Sequence, residues 1–176
     1  MSDNELPQNP TEILVVDDEP KIRELLTLWF KAAGHNVREA PDAMTALTML
    51  SQHPIDVMTV DKDMPEHDGV WLVEQVQKAH PAVAMLLASG DDQIPMRVAM
   101  SRGIQGYLVK PFKRELVLSA VNAAAAWHKV AVKQAAAGQK APASPIDEWL
   151  ASTAGKKPAL FPEPEPEADS KTDKPK

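Results

Sequence analysis

Short apolar runs that stop abruptly on carboxylates constrain this chain more than any other feature of it. Ile13 to Val16 leads straight into Asp17 and Asp18, and Val57 to Val60 leads straight into Asp61. Such unalternating runs read as strands buried on both faces, the pattern of a parallel sheet, and ligands of parallel sheets collect beyond the strand ends. The three acids would then share one pocket. Carboxylates in contact raise one another's pKa unless a cation neutralises them, so a divalent metal is the natural companion of the group. Oxygen-only ligands, with no His or Cys beside them, favour Mg2+.

Strand-like and helix-like segments alternate from residue 12 to about 137, the signature of a three-layer α/β domain. Strands are expected at Glu12 to Val16, Asn36 to Glu39, Asp56 to Val60, Ala82 to Ala88 and Gly106 to Val109. Helices are expected from Pro20 to a stop at Gly34, from a cap at Asp42 to just before Pro54, from Val70 to Ala79, from Pro95 to Arg102, and from Lys113 to Ala137. Four of the five strands end in a chemically capable side chain: Asp17 with Asp18, Asp61, Ser89 and Lys110. The second strand ends in none. That blank suits the edge of a doubly wound, five-stranded parallel sheet of order 2-1-3-4-5 with helices on both faces, which is the fold expected.

The last helical pattern is too long for simple packing. It would span about 37 Å at ~1.5 Å per residue, whereas a strand of five or six residues covers ~17–20 Å. Its second half must protrude, fray or meet a partner. Beyond Gly138 the composition turns to Pro, Ala, Ser, Lys and Glu. The expected organisation is therefore a disordered start over 1–10, a domain over 11–126, an extension of the last helix over 127–138 and a Pro-rich disordered tail over 139–176. Within the tail, Ile146, Trp149 and Leu150 fall on one helical face and form a candidate docking motif.

The absence of Cys removes disulfide, thiol and zinc-thiolate chemistry and suits a reducing compartment. The first residues have neither a basic start nor an apolar stretch, and no segment approaches the ~20 apolar residues of a membrane span, so a cytoplasmic protein with no membrane insertion is expected. A net charge of -6 without a basic stripe disfavours direct nucleic-acid binding and points to protein partners.

A carboxylate can act as a nucleophile toward phosphorus when a metal screens its charge and donors hold the transferring oxygens. Asp61 is the candidate nucleophile, Asp17 and Asp18 the cation-holding pair, Lys110 the positive charge for a phosphoryl oxygen and Ser89 a hydroxyl donor for another.

At these residues the chain resembles the response-regulator receiver domain of two-component signalling, a flavodoxin-like fold. The likeness rests on Asp17-Asp18, on the segment from Asp61 to Gly69 with its Met64-Pro65 and Asp68-Gly69, on Ser89-Gly90, and on the segment from Tyr107 to Phe112. It covers roughly residues 11 to 125. The resemblance implies a phosphorylation switch rather than an enzyme, in which Asp61 accepts a phosphoryl group from a histidine kinase or phosphotransfer protein. It further implies Mg2+ on Asp17, Asp18, Asp61 and the backbone carbonyl of Asp63. Ser89 and Tyr107 would be the switch pair, remodelling the face made by the fourth helix, the fifth strand and the last helix for a downstream protein. A cis peptide is implied at Lys110-Pro111. Asp63 and Asp91 depart from the family pattern by placing acids where attacking water would pass.

Two other readings compete. The last helix sets Leu116, Ala120, Ala123, Trp127 and Val130 at spacings of four and three, a weak coiled-coil seam that could make the chain a homodimer or a phosphorylation-independent scaffold. Asp61-Lys62-Asp63 also mimics the Asp-x-Asp of haloacid-dehalogenase-like phosphatases, but that family carries its motif on the first strand, and Asp17 and Asp18 lie upstream.

Overall fold

Capping and turn residues divide the chain where the apolar pattern does. Pro20 opens the first helix, and Gly34, at φ 86°, ends it, with the Gly34 N–H donating to the Lys31 carbonyl at 3.0 Å. The Asp42 and Asp68 carboxylates cap the next two helices by accepting the N–H of Thr45 and of Trp71, each at 2.7 Å. A computed structural model describes residues 10–90 and 104–143. In it β1 (Glu12–Val16), α1 (Pro20–Ala32), β2 (Asn36–Ala40), α2 (Ala43–Gln52), β3 (Val57–Asp61), α3 (Gly69–Ala79), β4 (Ala84–Ser89), β5 (Ile104–Val109) and α4 (Arg114–Ala136) follow one another. The helix expected over Pro95 to Arg102 lies outside the described residues. So do Asp91, the first nine residues and the Ile146, Trp149 and Leu150 motif.

All five strands are parallel and ordered β2-β1-β3-β4-β5. Side chains alternate across the sheet. Leu14, Val16, Met58, Val60 and Leu87 pack with Leu50, Val73 and Val76 from α2 and α3. Ile13, Val15, Val57, Leu86 and Ala88 pack on the other face with Leu26, Phe30, Val117 and Val121 from α1 and α4. Burial of every residue from Ile13 to Val16 and from Val57 to Asp61 is why these segments show no polar alternation in the sequence.

Strand ends fall within one residue of expectation except at two strand starts, which move by two for local reasons. β4 starts at Ala84 because Val83 closes a turn, its N–H donating to the His80 carbonyl at 3.0 Å, and the Ala82 carbonyl faces the ring of His128. β5 starts at Ile104 because Gln105 is an extra residue in the ladder: Met85 pairs with Ile104 and Leu86 with Gly106. The second half of α4 meets its own molecule. His128 Nδ1 lies 2.7 Å from the Ala82 carbonyl oxygen and its Nε2 lies 3.1 Å from Asp56. Past Gly138 the chain turns back, and Trp127 Nε1 donates to the Pro142 carbonyl at 3.3 Å. The proposed seam is accordingly split, since Ala120 is buried in the core while Leu116 and Val130 stay exposed.

Candidate functional site

Register brings the acids together. Val16 pairs with Val60, so Asp17, the next residue, stands beside Asp61 at the C-terminal edge of the sheet. Asp61 in turn pairs with Ala88, placing Ser89 one step further on the neighbouring strand, and the Lys110 N–H donates to the Ser89 carbonyl at 2.8 Å. β1, β3, β4 and β5 therefore each deliver one component to the same rim, as parallel strands must when their carboxyl ends align.

Asp17, Asp18 and Asp61 each offer an oxygen within 4.8 Å of the others, the only such group of potential ligands among the described residues. Asp17 and Asp61 are buried, and Asp18 is the most accessible of the three. The Lys110 ammonium bridges the two buried carboxylates, 3.1 Å from Asp17 Oδ2 and 3.2 Å from Asp61 Oδ1, with Glu19 Oε1 at 3.7 Å. Burial pushes the Asp61 carboxyl up to about 6, against the pull of Lys110 and with a further push from the negative charge of Asp17. Burial alone would lower the Lys110 ammonium. Its hydrogen bond to Asp17 and the charges of Asp61 and Asp17 outweigh that and leave it above its ordinary value. Three carboxylates with one ammonium, and no nitrogen or sulfur ligand, make a donor set suited to a hard dication such as Mg2+.

The remaining expected residues lie as follows. Ser89 is fully buried, and Tyr107 is only 1% exposed, inside the α2 and α3 face of the core. Leu87 pairs with Tyr107 and Ser89 with Val109, so the period of two puts Ser89 and Tyr107 on the same face of the sheet. The Asp63 carboxylate points outward and pairs at 3.7 Å with Lys62. The Lys110-Pro111 peptide is cis.

Three residues at the site escape a reading of strand ends. Arg23 Nη1 donates to the Asp17 carbonyl at 2.6 Å and the Asp18 carbonyl at 3.1 Å, while its Nε pairs with Glu39 at 3.7 Å. A cation in the first turn of a helix opposes the helix dipole, and that misplacement is the signal that could have flagged it. Glu19 donates its N–H to Asp17 Oδ1 at 2.9 Å, fixing that carboxylate. Gly69 matters through what it lacks: a Cβ there would overlap the Asp61 carbonyl oxygen, and its N–H donates to the Lys62 carbonyl at 2.9 Å. The β3–α3 loop thus closes tightly on Asp61, with Glu66 at φ 65° and the rings of His67 and Trp71 stacked 4.0 Å apart.

Comparison with known proteins agrees with this geometry. Regulatory protein VanRc of Enterococcus gallinarum is 33% identical over 112 residues, 63% of this chain and 48% of that protein. Transcriptional regulatory protein GlrR of Escherichia coli (strain K12) is 29% identical over 114 residues, 64% of this chain and 26% of that protein. The chain thus corresponds to about half or less of these curated relatives. Among solved structures, chemotaxis protein CheY4 of Vibrio cholerae superposes with a TM-score of 0.61 at 27% identity, covering 65% of this chain and 98% of that one. A response regulator receiver domain protein from Clostridium thermocellum superposes with a TM-score of 0.63 at 27% identity, covering 68% and 97%. The family model described as the response regulator receiver domain matches residues 13–122. With that match across most of its length, the chain belongs to the response regulator receiver domain family.

Proposed function

We propose that this protein is a phosphorylation-dependent switch of a two-component pathway that accepts a phosphoryl group on Asp61 from a histidine kinase or phosphotransfer protein. The observation that carries the reading is the Lys110 ammonium held within 3.2 Å of Asp61 while Asp17 and Asp18 converge on the same point. Asp61 is the nucleophile. A carboxylate oxygen forms the new bond to phosphorus as the bond from phosphorus to the donor's imidazole nitrogen breaks, and that nitrogen keeps the electron pair and takes up a proton. Even with burial holding its carboxyl at about 6 in the cation-free site, Asp61 is largely ionised at neutral pH, the form that attacks phosphorus.

Asp17, Asp18, Asp61 and the backbone carbonyl of Asp63 would hold Mg2+, which when bound supplies positive charge to the crowded carboxylates and to the phosphoryl oxygens. Lys110 would leave its bridge between Asp17 and Asp61 to meet a phosphoryl oxygen, and the Ser89 hydroxyl would donate to another. Arg23 and Glu19 hold the acidic pair in place by binding its backbone and the Asp17 carboxylate. Phosphorylation then biases a two-state equilibrium in which Ser89 and Tyr107, on one face of the sheet, change the surface offered by β5 and α4 to a downstream protein. In this reading the output of the receiver domain is a binding event at that face.

Incubating the protein with a small phosphodonor and Mg2+ should add one phosphoryl group per chain, and removing Mg2+ should prevent it. An Asp61→Asn protein that labels as well as the parent would overturn the reading.

A further inference from the structure

The end of the molecule opposite Asp61 carries a groove that phosphoryl transfer does not use. It has a volume of about 350 Å3 at the N-terminal ends of β3 and β4, with an apolar floor that includes Leu50, Ile55 and Val83 and a rim of three imidazoles, His53, His80 and His128. That size lies in the range of ~300–1,000 Å3 usual for ligand sites. His53 and His80 end α2 and α3, and their rings have no hydrogen-bond partner among the described residues. The one carboxylate of the groove, Asp56, is already engaged at both oxygens, by His128 Nε2 at 3.1 Å and by the Glu12 N–H at 2.9 Å. Apolar surface rimmed by donors is thus presented together with no competing acid left unpaired.

The course of the chain leads back to this groove. α4 passes its lip at His128 and continues to Ala136, and at Gly138, φ 70°, it reverses, with the Gln139 N–H donating to the Gln134 carbonyl at 2.9 Å. The returning strand of chain runs back along the helix until the Pro142 carbonyl meets Trp127, the neighbour of His128. Ala131, one turn beyond Trp127, is fully buried, although Val130 and Val132 beside it are exposed. At Pro142 the chain has therefore returned to the level of α4 from which the next residue along the helix, His128, reaches the groove. After Ala143 come Ser144, Pro145, Ile146, Asp147, Glu148, Trp149 and Leu150. Trp149 lies six positions past Ala143, a reach of about 20 Å at ~3.3–3.6 Å per residue.

We propose that the groove is the docking site of this chain's own segment Ile146 to Leu150. The spacing of Ile146, Trp149 and Leu150 is that of anchors laid into an apolar groove, and a single Trp can bury ~150–250 Å2. Asp147 and Glu148 supply the acceptors that the His53 and His80 rings lack. A tether of a few residues raises the local concentration of the segment to the order of millimolar, which favours it over a free partner of the same chemistry. Docking there fastens the second half of α4 to the end of the sheet remote from Asp61, so the segment leaves the phosphoryl site open while bracing the helix that contributes to the output face.

Because the chain has no Cys, Ser152→Cys in the full-length protein takes a single nitroxide label. Amide signals of Leu50, His53, His80 and Val83 should broaden severalfold more than those of Leu28 and Met44, which are exposed on α1 and α2. Adding Trp149→Ala to the labelled protein should abolish the contrast. In a mixture of labelled chain without 15N and unlabelled chain with 15N, no broadening is expected. Even broadening, broadening centred away from the groove, persistence in the Trp149→Ala variant, or broadening in the mixture, which would make a second copy the occupant, would each overturn the proposal.

Discussion

Asp61 sits in electrostatic conflict before any phosphoryl group arrives. Burial and the neighbouring Asp17 raise its pKa from 3.8 to about 6, so between those values the folded state holds a proton that the unfolded state has released. Stability contributed by this group is therefore present at low pH and falls as pH rises from about 3.8 to about 6. Asp61→Asn removes the conflict and leaves the Lys110 contact with Asp17 at 3.1 Å in place. Without divalent cations, the variant should be more stable than the parent by about 1–3 kcal/mol at pH 7, at ~1.4 kcal/mol per pKa unit. The gap should close as pH drops toward 4. Urea titrations at several pH values measure it, and a variant less stable than the parent at pH 7 would contradict the assigned cause. Asp17, Asp18, Asp61, Ser89 and Lys110 could be singled out in the sequence because the Asp17–Asp18 pair, Asp61, Ser89 and Lys110 each stand directly behind an apolar run. It hid Arg23 and Glu19, whose work is done by a guanidinium and a backbone N–H reaching the backbone and carboxylate of the acidic pair.

At the scale of elements, the site depends on how closely α3 begins behind β3. Gly69 starts that helix in contact with the Asp61 carbonyl, and the obstacle is backbone on both sides, so neither partner can rotate away. Gly69→Ala should cost about 1–3 kcal/mol, the usual range for forcing an atom into filled space, and should slow phosphorylation by displacing Asp61. Chemical denaturation together with the rate of labelling tests this, and an unchanged rate in a folded variant would show the contact to be purely structural. The elements themselves were legible because Ile13–Val16 and Val57–Val60 are nearly unbroken apolar runs and Asp42 and Gly34 punctuate the chain where caps and stops belong. Ends were less legible where tertiary contacts decide them. Ile104 and Gln105 read as the end of a loop before a strand expected from Gly106, yet a bulge absorbs the extra residue and β5 begins at Ile104. α4 read as too long for its sheet, and what accommodates it is the contact of His128 with Asp56 and Ala82, which no periodicity announces.

Across the whole molecule, the site is a junction: β1, β3 and β5 each end there, and the charges of Asp17, Asp18, Asp61 and Lys110 meet there from three strands. A ligand that binds only this assembled geometry stabilises the entire fold. Mg2+ at about 100 times its dissociation constant should add ~2.7 kcal/mol to unfolding and raise the melting temperature, while the same concentration should add much less to an Asp18→Asn protein. Equal stabilisation of both would place the cation elsewhere. The doubly wound order and the position of the site were readable together, because the edge strand β2 is the one that ends in no chemically capable side chain. The opposite end of the molecule was unreadable from sequence, since His53, His80 and His128 are scattered along the chain and only folding collects them.

The most direct measurement is chemical trapping of the modified side chain. After treatment with a phosphodonor and Mg2+, the full-length protein is reduced with borohydride, which converts an aspartyl phosphate to homoserine, and its peptides are mapped by mass. Homoserine at position 61 and nowhere else is the expected result. Homoserine at 17, 18 or 63 with Asp61 intact would contradict the assignment of the nucleophile.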